Sequence, residues 1–318
     1  MVLYGADRLT EGAASLARRM HVPEIIIGLT IVAAGTSAPE LFVSVVSALN
    51  GTPDLAVGNV VGSNIFNSLL IVGITAMVAP MTILKSTVRL DIPFSLFASV
   101  LLATFCFDNE LSRLDAAILF AFFLVFMYVV LRAAKKKQQA SGSDLASLSE
   151  DDTVPANEAG TSSEGSLPMP IWKAALFIII GLACLIGGSE LFVGGATEIA
   201  KALNVSNAVI GLTVVAMGTS LPELATSVVA ARKGNSGIAI GNVLGSNVFN
   251  ILLILGMTGI ISPMDHIQGI TLIDLSMLVV SMILLLLFSF TKYTIARWEG
   301  AVLTTVFAGY LTWLIVNV

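Results

Sequence analysis

Two acidic motifs lie inside otherwise apolar segments of the chain. The first, GTSAPE, spans residues 35–40, and the second, GTSLPE, spans residues 218–223. A carboxylate near the centre of a bilayer costs several kcal/mol unless it is paired, protonated or bound to a cation. Neither segment contains a cationic side chain, so the pattern predicts a mobile cation as the partner of Glu40 and Glu223.

The residues around each glutamate favour a hard cation. The hydroxyl-bearing residues just before the two glutamates are Thr36, Ser37, Thr219 and Ser220. Pro39 and Pro222 lack an N–H, so we predict that they break the helix at each motif and free backbone carbonyls in the preceding turn. Carboxylate, carbonyl and hydroxyl oxygens in a flexible cage suit Ca²⁺ and Na⁺, whereas soft metals prefer Cys and His.

A second repeated segment supplies further oxygens. It reads GNVVGSNIFN at residues 58–67 and GNVLGSNVFN at residues 241–250. Polar residues recur there at every fourth position, so they form one stripe on a helix. The side chains expected to face the cation are Ser63, Asn67, Ser246 and Asn250. The residues that fit either this site or hydrogen bonds to neighbouring helices are Asn59, Asn64, Asn242 and Asn247.

The composition predicts that membrane helices position these motifs. The 318 residues are 56% hydrophobic and 12% charged, whereas soluble domains are about 25% charged. Apolar windows long enough to span a bilayer recur along the chain. We predict an all-α membrane protein with ten helices, at 2–20, 23–49, 55–79, 88–107, 112–132, 171–203, 206–232, 237–262, 270–290 and 296–317. Nothing indicates nucleic-acid binding, a cofactor or an enzyme's catalytic set.

The two halves of the chain are copies with an offset of 183 residues. Residues 28–49 match residues 211–232 at 15 of 22 positions, and residues 58–73 match residues 241–256 at 12 of 16. Five helices per half give the halves opposite orientations, and such inverted repeats place matched polar segments near the membrane midplane. We predict one five-helix repeat at 1–132 and another at 171–318, joined by a disordered linker at 133–170.

Charge predicts the orientation of the ten helices. Of the 16 Lys and Arg residues, only Arg113 and Lys201 fall on the side opposite the linker, and Arg8 lies within the first helix. The positive-inside rule therefore places the linker in the cytoplasm and both termini outside. The first helix is shorter than its counterpart in the second half. We expect that the start of this first helix is incomplete and that it is not a signal peptide.

Paired GTSxPE segments, each followed by GNxxGSNxFN in an inverted repeat, resemble the α-repeats of sodium/calcium exchangers in the calcium:cation antiporter superfamily. The resemblance covers the chain outside the linker, which looks like the short prokaryotic kind. It implies that Glu40 and Glu223 bind both Ca²⁺ and Na⁺, with Ca²⁺ also at Thr36 and Thr219. Ser37, Ser220, Ser63, Asn67 and Ser246 match further ligands. Ala33 and Ala216 match positions that supply backbone carbonyls.

Asn250 departs from the family pattern, because some members carry an aspartate at this position. The site then has two carboxylates, which leaves the coupling ion and its stoichiometry open. The resemblance implies antiport of Ca²⁺ and Na⁺ by alternating access, in a monomer of a prokaryotic plasma membrane. The alternatives are a Ca²⁺/H⁺ antiporter, in which the glutamates carry protons, a cation channel and, with least support, a membrane enzyme.

Overall fold

The computed structural model describes residues 1–147, 169–202, 216–265, 267 and 269–317, and these are mostly helical. The helices, in chain order, are α1 (Val2–Met20), α2 (Glu24–Thr36), α3 (Ala38–Leu49), α4 (Pro53–Val78), α5 (Thr87–Asp108), α6 (Arg113–Ser147), α7 (Ile171–Ala202), α8 (Ala216–Thr219), α9 (Leu221–Arg232), α10 (Ser236–Ile261), α11 (Leu272–Phe290) and α12 (Arg297–Asn317). Two short strands, β1 (Met81–Thr82) and β2 (Thr294–Ile295), pair antiparallel.

Several of these helices can cross a membrane. Within the described residues, seven are long and apolar enough to do so, namely α4 to α7 and α10 to α12, and α2 with α3 forms a further span bent by 47°. The positions agree with the spans predicted from the sequence. Residues 206–215 of the predicted helix 206–232 lie outside the described residues, and α8 and α9 are its described part.

The predicted linker begins as helix and not as disordered chain. We expected the helix to end at residue 132, but α6 continues to Ser147. The extension reads AAKKKQQA over residues 133–140, and Ala, Lys and Gln are strong helix formers. Residues 148–168 lie outside the described part of the chain. The linker's last residues return to the bundle, where the Met169 N–H donates to Ser15 Oγ at 2.8 Å.

The loops show that matched helices run in opposite directions. β1 follows α4 and pairs with β2, so the C-terminal end of α4 lies at one end of the bundle together with the start of α12. The helix α5 then crosses to the opposite end, where Leu111 forms a bridge with Met264, just after α10. Because α4 and α10 are repeat counterparts, the two halves are inverted relative to each other.

The counterparts α4 and α10 form the centre of the bundle. In the most apolar stretch of each helix, 78% of the α4 residues and 94% of the α10 residues are buried. The corresponding share is 22–39% for the other five single-helix spans. The close approach of α2 to α10 requires glycine, because a Cβ on Gly241 would lie 2.7 Å from the Ile25 carbonyl oxygen. Outer helices expose large apolar side chains such as Leu124 and Val280, as expected of a surface that faces lipid.

Candidate functional site

The helix break predicted at each GTSxPE motif is confirmed. Between α2 and α3, Ser37 has φ −82° and ψ 6°, and between α8 and α9, Ser220 has φ −89° and ψ 7°. In each half the proline lies in the first turn of the following helix, where its missing N–H costs no helical hydrogen bond. The glutamate comes next, so both carboxylates leave the backbone just after a break.

The two glutamates are fully buried and face the opposite half of the protein. Ser37 Oγ donates to Glu223 Oε1 at 3.3 Å, and Ser220 Oγ donates to Glu40 Oε1 at 3.1 Å. Each serine therefore binds the glutamate of the other repeat. Thr36 also lies close to Glu223, and Thr219, which is half-buried, lies close to Glu40. The arrangement joins both predicted motifs in one site.

Several atoms of this site are buried without a hydrogen-bond partner. They are Glu40 Oε2, Glu223 Oε2, Ser63 Oγ, Asn67 Oδ1 and both side-chain polar atoms of Asn250. Most buried polar atoms in proteins are hydrogen-bonded, so each exception needs an explanation. Five of these six atoms are oxygens, whose lone pairs can bind a cation or accept a hydrogen bond from water.

The electrostatics of the site also favour a cation. Glu40 and Glu223 lie close enough for their charges to repel each other. In the described part of the chain, the ion pairs join Arg8 and Lys233 to Asp7 and Glu11, and none reaches the two glutamates. Within the same residues, no three His, Cys, Asp or Glu side chains cluster. A cation here would be held by two carboxylates and neutral oxygens.

The polar stripes on α4 and α10 divide into two kinds of residue. Ser63 and Asn67 keep a free oxygen, and Ser246 Oγ donates only weakly to Glu223 Oε1, at 3.5 Å. By contrast, Asn59 and Asn242 use both amide hydrogens in bonds to the preceding helix. The first kind is available to a ligand, whereas the second kind holds helices together.

The remaining asparagines, and one of the two carbonyls that the resemblance implies as ligands, already take part in hydrogen bonds. Asn64 donates to the Val60 carbonyl in its own helix, and Asn247 Oδ1 accepts from Asn67. The Ala33 carbonyl accepts the Ser37 N–H at 2.9 Å and lies 3.4 Å from the Thr36 hydroxyl, a second and weaker donor. Ala216 is the first residue of α8 and so lies one turn before the break.

Sequence reasoning missed several polar residues beside the site. Ser189 on α7 donates to the Gly218 carbonyl, which the helix break frees. Ser68, which was also missed, accepts from Asn247 Nδ2 and donates to the sulfur of Met282. Two further serines were also missed: Ser44 and Ser227. Both lie four residues after a glutamate at the repeat offset, and that spacing is the signal that would have found them.

Two π-helical segments contain the last residues of these polar stripes. They span Phe66–Ile71 in α4 and Phe249–Leu255 in α10, and they contain Asn67 and Asn250 near their starts. π-helical turns are rare in proteins and are frequently found at functional sites. The two turns start at matched positions of the repeat, so their placement follows the pseudo-symmetry of the site.

Comparison with known proteins connects this geometry to a family. The sequence profile of the family described as "Sodium/calcium exchanger protein" matches residues 1–132 and 173–316. The putative antiporter CaxA of Alkalimonas amylolytica is 37% identical over 315 residues, covering 98% of this chain and 94% of that protein. The sodium/calcium exchanger MaX1 of Methanosarcina acetivorans is 32% identical over 333 residues, with coverages of 98% and 94%.

A solved structure extends the similarity to the fold. The sodium–calcium exchanger NCX_Mj, soaked with Na⁺ and Ca²⁺, superimposes with a TM-score of 0.78 at 31% identity, covering 98% of this chain and 94% of that one. The predicted fold class, an all-α membrane protein built from two inverted five-helix repeats, is therefore confirmed.

Proposed function

The chain belongs to the sodium/calcium exchanger protein family, and we propose that it exchanges Ca²⁺ for Na⁺ across the membrane by alternating access. As a family member it is a cation antiporter and not an enzyme. The proposal assigns the exchange to one site between the two halves. Glu40 and Glu223 supply its charge, and hydroxyl, amide and carbonyl oxygens complete it.

One observation carries this proposal. Two fully buried glutamates from inverted halves each have one oxygen bonded across the pseudo-symmetry axis and one oxygen without a partner. Two negative charges this close and this deep require compensation by positive charge. A single Ca²⁺ supplies two positive charges at one point, and Na⁺ ions supply the same charge at several points.

Competition between the two ions explains exchange without a second site. Ca²⁺ and Na⁺ both prefer oxygen ligands, and a compact Ca²⁺ cage needs both carboxylates. Na⁺ ions at overlapping positions use the same oxygens, among them those of Ser63, Asn67 and Asn250. The two loads therefore exclude each other, and the unloaded site keeps an uncompensated charge that opposes its movement through the membrane.

We propose that α1 and α7 move as one body when access switches. A Cβ on Gly5 would lie 2.7 Å from the Gly181 carbonyl oxygen, and a Cβ on Gly12 would lie 2.8 Å from the Ala174 carbonyl oxygen. Backbones this close pack as a unit. The pair lies against the broken helices, since Ser189 donates to the Gly218 carbonyl.

The proposal includes the orientation and assembly expected from the sequence. We place the protein in a prokaryotic plasma membrane, with the β1–β2 end and the linker in the cytoplasm and both termini outside. The bundle end at β1 and β2 exposes the basic residues Lys85, Arg89, Lys292 and Arg297, as the positive-inside rule requires of a cytoplasmic face. The site is built from one chain, so a monomer suffices.

Gradient-driven uptake tests this function. We expect proteoliposomes loaded with Na⁺ to accumulate radioactive Ca²⁺ from Na⁺-free medium, because outward Na⁺ movement drives Ca²⁺ inward. Vesicles without protein, and proteoliposomes with equal Na⁺ on both sides, are the controls. Ca²⁺ uptake that needs no counter-ion gradient would identify a channel instead.

Ca²⁺/H⁺ antiport is the second candidate, and Asn250 is the observation that favours it. With a neutral amide at this position the site has two carboxylates, and two protons would neutralise them as one Ca²⁺ does. The same vesicles with an outward H⁺ gradient and no Na⁺ separate the candidates. Uptake with H⁺ but not with Na⁺ would replace Na⁺/Ca²⁺ exchange by this alternative.

A further inference from the structure

Each glutamate of the site is joined to the next helix by a clamp of hydrogen bonds. In the first half, Asn59 Nδ2 donates to the Glu40 carbonyl oxygen at 3.2 Å and to Ser44 Oγ at 3.0 Å. Ser44 Oγ in turn donates to the Ala56 carbonyl at 3.4 Å. The bonds run in both directions between α3 and α4, so they fix the relative position of the two helices beside Glu40.

The second half repeats the clamp with the same distances. Asn242 Nδ2 donates to the Glu223 carbonyl oxygen at 3.2 Å and to Ser227 Oγ at 3.0 Å, and Ser227 Oγ donates to the Ala239 carbonyl at 3.4 Å. Ser44, Asn242 and Ser227 are buried, and Asn59 is half-buried. The clamp therefore recurs at both glutamates.

We propose that Asn59 with Ser44, and Asn242 with Ser227, are positioning residues that set how tightly the site fits its cation. This inference rests on the proposed function, because it concerns the same site. None of the four residues would bind the ion. They hold the backbone of each glutamate against the helix whose side chains form the opposite wall of the site.

Geometry supports a positioning role over a ligand role. Both amide hydrogens of each asparagine bond to the helix that carries the glutamate, and the Oδ1 of Asn242, the atom that a cation would bind, accepts from Thr36 Oγ1 at 3.0 Å. The next residues on the same helix face, Ser63 and Asn67 in the first half, keep oxygens without partners. One stripe thus contains a residue that sets the spacing, followed by residues that face the cation.

The clamp has a consequence for ion selectivity. Ca²⁺ binds oxygens at about 2.3–2.6 Å, and a site discriminates among cations by its size and rigidity. The distance from the Glu40 carboxylate on α3 to the oxygens of Ser63 and Asn67 on α4 depends on how these helices are held. The Thr36–Asn242 bond extends the restraint from the second half to the first. A looser clamp would favour the larger Sr²⁺ relative to Ca²⁺.

The test compares graded variants by cation affinity. Asn59→Leu and Asn242→Leu remove the donors to the glutamate backbone, whereas Ser44→Ala and Ser227→Ala remove only the hydroxyl that closes the clamp. Ser289→Ala is the matched control, since Ser289 is a buried serine on α11 that donates within its own helix. Ca²⁺ and Sr²⁺ binding to the purified full chain, and the Ca²⁺ dependence of uptake, are measured for each variant.

We expect the Leu variants to weaken Ca²⁺ binding about tenfold and the Ala variants a few-fold, which is the scale of one or two buried hydrogen bonds. Sr²⁺ binding weakens less, so the preference for Ca²⁺ falls. The maximal rate per folded molecule changes less than the half-saturating Ca²⁺ concentration, and Ser289→Ala matches the wild type.

Two results would overturn the proposed positioning role of the clamp. One is a lower melting temperature with unchanged Ca²⁺ affinity and unchanged Ca²⁺/Sr²⁺ preference, which would assign these bonds to stability alone. The other is a set of variants that match the wild type throughout. Failure of the wild type to couple Ca²⁺ to Na⁺ would instead refute the proposed exchange, and the binding assay would still test the clamp. A wild type that binds no Ca²⁺ would refute both.

Discussion

Glu223→Gln is expected to abolish Na⁺-driven Ca²⁺ uptake, reducing the rate by about a hundredfold or more. The substitution keeps the shape of the side chain but removes one of the two charges that the site offers. At an effective dielectric constant of about 20, two unit charges 4 Å apart interact by about 4 kcal/mol, which is close to a thousandfold in affinity. We expect the same loss for Glu40→Gln, because the two glutamates occupy equivalent positions.

Glu299→Gln provides the matched control. Glu299 is another fully buried glutamate, and its Oε2 accepts the Ala296 N–H at 2.7 Å at the start of α12. A glutamine oxygen can accept the same bond, so we expect near-normal uptake. Proteoliposome uptake at equal amounts of folded protein checks all three variants. Retained Na⁺-driven uptake in both Glu40→Gln and Glu223→Gln would refute the assignment of the site.

Gly245→Ala is expected to have the second largest effect on transport, although it adds only a methyl group. An added Cβ would lie 2.6 Å from the Ala33 Cβ and 2.8 Å from the Leu29 carbonyl oxygen, so α2 and α10 must separate. Overpacking of this kind costs about 1–3 kcal/mol of stability. The same movement displaces Thr36 from Asn242. Because a cost of this size corresponds to about a tenfold change or more, we expect transport to fall about tenfold.

Gly309→Ala is the control for the added methyl group. Gly309 is an exposed residue of α12. A Cβ added there would have no described atom within 4 Å. Its melting temperature and uptake should match those of the wild type. If Gly245→Ala transports and melts as the wild type does, then the tight crossing of α2 and α10 does not support the site.

The repeat made much of the fold predictable. One register over both halves predicted two breaks, two glutamates and two polar stripes, and the structure places Ser37 and Ser220 at the breaks. Proline and glycine act locally, so their effect on a helix can be read from neighbouring residues. The inversion followed from counting five helices per half.

Other features depend on contacts between helices and were not predictable. The sequence left Asn59 and Asn242 open between ligand and packing roles, because periodicity gives the face of a helix but not the atom that a side chain meets. The repeat offset marks Ser44 and Ser227 as a matched pair, but it does not show that their hydroxyls bond to the next helix. The helix over residues 133–147 was also missed, since the polar composition of the whole linker concealed its helix-forming first part.

The most direct test of the account locates the cation itself. In crystals of the wild type soaked with Sr²⁺, a heavier congener of Ca²⁺, we predict one anomalous peak in contact with carboxylate oxygens of both Glu40 and Glu223. Raising Na⁺ in the soak should remove that peak, because the two ions compete for the same oxygens. A Sr²⁺ peak away from the two glutamates, or one that high Na⁺ leaves unchanged, would contradict the account.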